Sequence, residues 1–231
     1  MWLNKKQTSD TAIKDYRSTL LKSCPSHIVI DNLFNEEKLN DVIQVLQQPN
    51  NWKTQKHTYS KLYVDDIHWN NTDHEQRFVQ RDSWQRDSSS ATTKGIAHDF
   101  LSFLRGDEYL ALLSRIFNTV ITDINVENPE INTNYFRLSR NDFIEQHADD
   151  SPGREICMLL YLNKHWQEDA GGELVFAGEK ENGKKIRISP QYNRCVLFDP
   201  SSEGSEHWVK KLNTKYKDQY RYNITSWYWS E

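Results

Sequence analysis

The chain carries side chains able to ligate one metal ion and to neutralise an anion beside it. His147-Ala148-Asp149 supplies an imidazole and a carboxylate two residues apart, and His207 supplies a second imidazole sixty residues on. Two imidazoles and one carboxylate make a facial triad, which leaves positions open on a ferrous ion for an oxo-acid and dioxygen. Arg221 opens the run Arg221-Tyr222-Asn223-Ile224-Thr225-Ser226-Trp227-Tyr228-Trp229. A guanidinium buried near such a metal can pair with the far carboxylate of 2-oxoglutarate. Zinc is the rival metal, because the same ligands serve zinc hydrolases. No His-Glu-x-x-His motif is present, and Arg221 favours iron.

The tripeptide alone carries little weight. With 8 histidines and 33 acidic residues, about one His-x-Asp or His-x-Glu is expected by chance. Order, spacing and strand context carry the argument. In an extended segment, residues 147 and 149 point to one face. Arg221, Asn223, Thr225, Trp227 and Trp229 likewise share one face of a period-two strand. An arginine heading that Trp-bearing face is costly to bury unless an anion meets it. The remaining histidines, 27, 57, 68, 74, 98 and 165, have no partner at ligand spacing in strand context and read as surface or partly buried side chains.

Helices are expected over 9–23, capped by Ser9 or Asp10, and from a cap at Asn35 up to Pro49. In the second, Leu39, Val42, Ile43 and Leu46 form one apolar stripe. A short strand is expected at 26–31. Residues 51–91 are polar with scattered aromatics; a strand is expected within 58–67 and an exposed loop at 86–90. Such a long loop suits a substrate lid. Two helices are expected at 93–105 and 107–117. Strands then follow at 119–126, 132–138, 143–149, 155–162, 173–177, 185–188, 194–198, 207–209 and 220–229. Turn clusters 151–153, 170–172 and 181–183 separate some of them. Many short strands with turn punctuation predict a mainly β chain, a jelly roll buttressed by N-terminal helices.

A length of 231 residues fits one domain, read here as helical support and lid over 1–118 and a jelly-roll core over 119–231. The hydrophobic fraction is 36%, and 8 Trp, 11 Tyr and 9 Phe enlarge each buried contact. A net charge of −4 argues against broad binding to nucleic acid or anionic membrane. Lysines 210, 211, 215 and 217 beside Arg221 read as a solvated loop. Three widely spaced cysteines, 24, 157 and 195, suit a reducing cytosol. The N-terminus is too polar for a signal peptide, and no long apolar segment is present. A cytoplasmic location is the expectation.

The combined pattern resembles the prolyl-hydroxylase-type branch of the iron(II)/2-oxoglutarate-dependent dioxygenases, with the hypoxia-factor prolyl hydroxylases as near relatives. The carrying segments are His147-Ala148-Asp149, Tyr161-Leu162-Asn163-Lys164-His165-Trp166, Gly171-Gly172-Glu173-Leu174, His207 and Arg221 to Tyr228. The resemblance is strongest over 143–229. It implies a double-stranded β-helix, with His147, Asp149 and His207 as iron ligands. It implies Arg221 as the clamp on 2-oxoglutarate, helped by the Tyr161 hydroxyl, with Thr225 and Trp227 lining the pocket and Tyr135 near the co-substrate or substrate. Ascorbate would be an accessory reductant. At the mouth, Arg154, Asp65 and Trp69 are candidates for substrate contact, including an Asp65–Arg154 pair.

Two departures stand out. The interval from His207 to Arg221 is longer than the family norm, with the excess placed in 212–217, where a hairpin could absorb it. The stretch between Tyr135 and His147 lacks glycines common there. The expected reaction hydroxylates an unactivated C–H bond while 2-oxoglutarate becomes succinate, and the carboxylate at 149 argues against halogenation. The leading substrate is a prolyl residue of a protein or peptide; a free amino acid or other small metabolite is the alternative. A nucleic-acid demethylase is disfavoured by charge. A non-catalytic jelly-roll module is disfavoured by the intact triad and Arg221. Oligomeric state is not readable.

Overall fold

We describe a computed structural model of the chain over residues 1–86, 95–124, 126–127, 129–179, 183–216 and 219–230. Within these residues lie five helices and eleven strands, all in one antiparallel sheet that curls on itself.

The helices begin where the sequence offers caps. In α1 (Asp10–Leu20) the Ser9 side chain accepts from the Ala12 N–H, and in α2 (Glu36–Leu46) the Asn35 side chain accepts from Lys38. Each cap satisfies one of the N–H groups that a helix start leaves orphaned. The α2 stripe of Leu39, Val42, Ile43 and Leu46 is buried as its spacing dictates. α4 (Ile96–Leu104) and α5 (Asp107–Phe117) follow, and α5 ends on Asn118 in the left-handed conformation that stops helices. Short α3 (Asp66–Asn71) lies between strands.

Strands β1 (His27–Asp31), β9 (Arg194–Phe198), β6 (Arg154–Tyr161), β11 (Arg221–Trp229) and β4 (Thr133–Leu138) lie side by side in that order. Across from them run β5 (Phe143–His147), β10 (His207–Val209), β7 (Leu174–Phe176) and β8 (Ile186–Ile188). The two halves are joined by β3 (Arg77–Trp84), which pairs with β4 through Asp82 and Ser83 and with β5 through Val79 and Gln80. β2 (Trp52–Thr58) covers the other edge of β3. This is the jelly roll expected, and the first 118 residues add three strands to it.

Period two divides the core. Ile156, Met158 and Leu160 of β6 pack with Leu39, Leu101 and Leu113 of the helices. Their neighbours Cys157, Leu159 and Tyr161 face inward onto Leu174, Phe176 and Phe198. The helices therefore brace one face of the large half-sheet and leave its other face to line a cavity.

Several expectations need correction. The strand expected at 58–67 is displaced: β2 ends at Thr58, and α3 occupies 66–71. Strand β3 was not anticipated, because its composition is polar. Its polar groups are matched across strands instead, with Arg137 and Thr54 both bonding Asp82 and Gln80 donating to Asp142. Residues 119–124 form no strand; Val120 and Ile124 are exposed, and Asp123 binds Arg105 and accepts from the Trp229 N–H. Residues 87–90 of the expected loop, 93–94 of the expected helix, Asn125, residues 181–182 of a turn cluster and Lys217 lie outside the described residues.

Candidate metal and co-substrate site

Pairing of β10 with β5 sets His207 directly opposite His147, so the sixty residues between them close into adjacent strand positions. The two rings lie 4.4 Å apart between centroids. Asp149, just beyond β5, places its carboxylate 3.8 Å from His147 Nε2 and 3.7 Å from His207 Nε2. One donor atom from each of the three residues lies within 4.8 Å of the others. Each histidine turns its Nδ1 to a backbone carbonyl, Glu145 O at 2.9 Å and Ser205 O at 3.0 Å. An Nδ1–H donated there leaves Nε2 as a bare lone pair aimed at the shared point.

The electrostatics suit ligation. Burial lowers the His207 pKa to about 4; the nearby His147 adds to the effect and Asp149 opposes it. His207 is therefore neutral at pH 7, as a ligand must be. Burial pushes the Asp149 carboxyl up, but His147, His207, the Trp227 indole and Arg154 together outweigh it and hold the pKa below its ordinary value. Trp227 Nε1 donates to Asp149 Oδ2 at 2.9 Å, and Arg154 donates to the Asp149 carbonyl. These contacts fix the carboxylate before any ion arrives.

Arg221 begins β11, fully buried, at 0% exposure. Its Nη1 donates to Asn223 Oδ1 at 2.9 Å, and its plane lies over the Tyr161 ring at 4.8 Å. Nε and Nη2 of Arg221 and the hydroxyl of Tyr161 are buried without hydrogen-bond partners among the described residues. Burial lowers the arginine pKa, with Tyr161 and Glu173 partly offsetting it. Orphaned buried donors in native proteins call for a ligand, and a carboxylate accepting from Arg221 and Tyr161 answers all of them. Two bare imidazole nitrogens and a carboxylate likewise suit a ferrous ion. Both groups fit the residues present.

Gly172 makes room for the clamp. Its φ is +76°, and a Cβ there would lie 2.9 Å from Arg221 Cδ and 3.1 Å from Trp166 Cζ2. Gly172→Ala is therefore expected to destabilise the fold by about 1–3 kcal/mol and to weaken 2-oxoglutarate binding by displacing Arg221. Thermal melts with a titration of the co-substrate check both effects; a melt and affinity equal to wild type would contradict them. The long connection after His207 does not disturb the clamp. Lys210 N bonds Glu173 O, Asn213 N bonds Ala170 O, and Lys215 pairs with Asp169.

The triad opens into a cavity of about 630 Å³ whose lining includes Thr225, Trp227, Arg154, Phe78 and Leu159. Arg221 and Tyr161 are buried behind this lining rather than on it, and Tyr135, Asp65 and Trp69 fall elsewhere. Tyr135 pairs with Ile224, so it faces the helices; its hydroxyl donates to Ala97 O and its ring packs on Trp84. The cavity-facing positions of β4 are Asn134, Phe136 and Leu138, opposite Thr225, Asn223 and Arg221. Asp65 caps α3 by accepting from His68 N, and Trp69 is buried against Phe143. No Asp65–Arg154 pair forms, because Arg154 is turned to Asp149. Two cavity residues were missed by sequence reasoning, His57 and Arg81. Nothing in their local pattern separates them from surface residues of a polar segment.

His57 is buried too, with its pKa lowered to about 4 by burial, then by Arg81 and His147. His57 and His207 both titrate below the ordinary value of about 6.5. Between those limits the unfolded chain binds more protons, so their contribution is complete above pH ~6.5 and is lost as pH falls through ~4. Each accounts for at most about 3 kcal/mol. The metal-free chain should therefore melt at progressively lower temperature over that window, and His57→Leu should melt less steeply with pH. An equal pH dependence in wild type and variant would contradict this.

Comparison with known proteins agrees with the geometry. The family model described as the 2OG-Fe(II) oxygenase superfamily matches residues 133–229. Prolyl 3-hydroxylase OGFOD1 of Mus musculus is 28% identical over 127 residues, covering 53% of this chain and 22% of that protein. The chain thus matches about a fifth of the length of this curated relative. Among solved structures, a Pseudomonas putida prolyl-4-hydroxylase shares the fold with a TM-score of 0.59 at 13% identity, covering 94% of this chain and 98% of that one. A prolyl hydroxylase from Trichoplax adhaerens, solved with a hypoxia-inducible-factor peptide fragment, gives 0.61 at 20% identity, covering 97% and 96%. The segment that holds the triad and Arg221, residues 133–229, is the one that matches the model of the 2OG-Fe(II) oxygenase superfamily.

Proposed function

We propose that the chain is an iron(II)- and 2-oxoglutarate-dependent dioxygenase that hydroxylates a prolyl residue of a protein or peptide, with 2-oxoglutarate converted to succinate. The observation that carries this reading is the pairing of the His147–Asp149–His207 cluster with a buried Arg221 whose Nε and Nη2 lack partners. Iron with 2-oxoglutarate supplies the activation of dioxygen and the oxidising power for C–H cleavage. The chain's own residues bind and orient. His147, His207 and Asp149 would hold the ion, and the cavity they line would give substrate access to it. Arg221 and Tyr161 hold the far carboxylate of the co-substrate. Phe78, Leu159, Leu174 and Val209 give the cavity apolar walls, which exclude water from the reacting centre.

A peptide is favoured over a small metabolite by the rim. Tyr59, Leu62 and Tyr63 line the cavity yet are 52%, 58% and 60% exposed. Clustered exposed apolar side chains at a site mark a surface that a partner covers. The named relatives are prolyl hydroxylases, one of them bound to a peptide fragment. Incubation of proline-containing peptides with the chain, Fe(II), 2-oxoglutarate and ascorbate, followed by mass spectrometry, tests the reading. A one-oxygen gain on proline with matching succinate is expected. No gain on any peptide, with a one-oxygen gain when free amino acids or metabolites are supplied instead, would replace it with the small-molecule alternative.

A further inference from the structure

One wall of the cavity carries polar groups that neither metal nor co-substrate uses. β2 and β3 pair Gln55 with Arg81 and His57 with Val79, so these four side chains share one face. Gln55 Oε1, both ring nitrogens of His57 and Nε of Arg81 are buried with no hydrogen-bond partner among the described residues. Among the described residues Arg81 makes no ion pair. Its guanidinium stacks 3.5 Å over the Phe136 ring, and the adjacent Asp82 is taken by Arg137 at 2.9 Å. A stacked guanidinium keeps its edge donors free. Leaving these buried donors and acceptors unsatisfied is unfavourable unless a ligand meets them.

The charge around the cavity says what that ligand is. Among the described residues its lining holds three cations, Lys61, Arg81 and Arg154, against a single carboxylate, Asp149. Asp149 is committed to the triad. The cavity is therefore positive in a chain whose net charge is −4. The co-substrate does not account for this, because Arg221 and Tyr161 already offer the donors its far carboxylate needs.

We propose that the β2–β3 wall is a recognition subsite for a carboxylate on the substrate, with Arg81 pairing to an Asp or Glu side chain beside the target proline and His57 hydrogen-bonding at its flank. Lys61, at the rim, draws the acidic segment in. The target is thus an acidic prolyl peptide. This inference rests on the prolyl reading for its substrate, but not for its charge preference.

The test uses synthetic peptides with one central proline and Glu, Gln or Lys on either side of it, otherwise identical. Their binding to the full chain with Fe(II) and 2-oxoglutarate is measured without oxygen, and hydroxylation is then measured with oxygen. The Glu peptide should bind about tenfold or more tightly than the Gln peptide, and the Lys peptide most weakly. Arg81→Gln should erase the gap and Arg81→Glu should invert it, while Arg81→Lys should keep the order. If the Gln and Glu variants fail to fold, Lys61→Gln narrowing the gap and its screening by salt still support the subsite. Equal binding of the three peptides, or binding of none, overturns it. So would Arg81 variants that demand more 2-oxoglutarate with the peptide order intact. Charge-selective binding with no hydroxylated proline would defeat the prolyl reading and leave the subsite standing.

Discussion

Arg221→Ala is expected to raise the 2-oxoglutarate concentration for half-maximal turnover about a hundredfold or more. Removing one partner of a buried, hydrogen-bonded charge pair typically weakens binding by 2–5 kcal/mol or more, much of it from the stranded partner. Here the stranded partner is the far carboxylate of the co-substrate, left with the Tyr161 hydroxyl alone. The free chain should respond in the opposite sense. Arg221 is fully buried, and two of its nitrogens lack partners. Arg221→Met, which keeps an apolar stem beside Gly172, should leave the melting temperature unchanged or raise it, since a buried cation replaced by an apolar side chain of similar volume is commonly neutral or stabilising. Lost co-substrate affinity with retained stability is the signature of a ligand clamp. An unchanged 2-oxoglutarate requirement in Arg221→Ala would remove Arg221 from that role.

His207→Ala should abolish turnover. The residue supplies one of three ligand atoms, and even loss of a side chain that merely orients a ligand costs about 10–100-fold in metal affinity; loss of the ligand itself should exceed that. Asp149→Ala should do likewise, with an added effect on local order, because Trp227 Nε1 and Arg154 would both lose an acceptor or a neighbouring charge. Metal content after dialysis, read beside peptide hydroxylation, checks both variants. A His207→Ala protein that retains one iron per chain and full activity would contradict the assignment.

The parts of this site that could be read from the sequence are those governed by local geometry. His147 and Asp149 are two apart at a strand end, and Arg221, Asn223, Thr225 and Trp227 alternate along one strand, so parity alone gives their facing. The parts that could not be read depend on which strand lies next to which. Tyr135 illustrates this: its facing follows from pairing with Ile224, and no pattern within 132–138 announces that partner. β3 was hidden for a related reason. Arg-Phe-Val-Gln-Arg-Asp-Ser-Trp lacks apolar alternation, and its stability comes from cross-strand ion pairs such as Arg137–Asp82, whose other halves are distant in sequence. His57 and Arg81 were missed together, because both are placed on the cavity wall by the same β2–β3 pairing. The expected strand over 119–126 failed in the other direction. Its β-branched residues suited a strand, but Val120 and Ile124 stand exposed, and Thr122 and Asp123 meet β11 at the Trp229 carbonyl without forming a ladder.

The central claim is that residues 147, 149 and 207 gather one ferrous ion and that the guanidinium at 221 steers the oxo-acid onto it. Anaerobic addition of Fe(II) and 2-oxoglutarate to the purified chain, followed by visible absorption, tests it most directly. A weak charge-transfer band should grow to saturation at one iron per chain, vanish in His147→Ala and require far more 2-oxoglutarate in Arg221→Ala. A band of undiminished strength in both variants, at the same co-substrate concentration, would contradict the account.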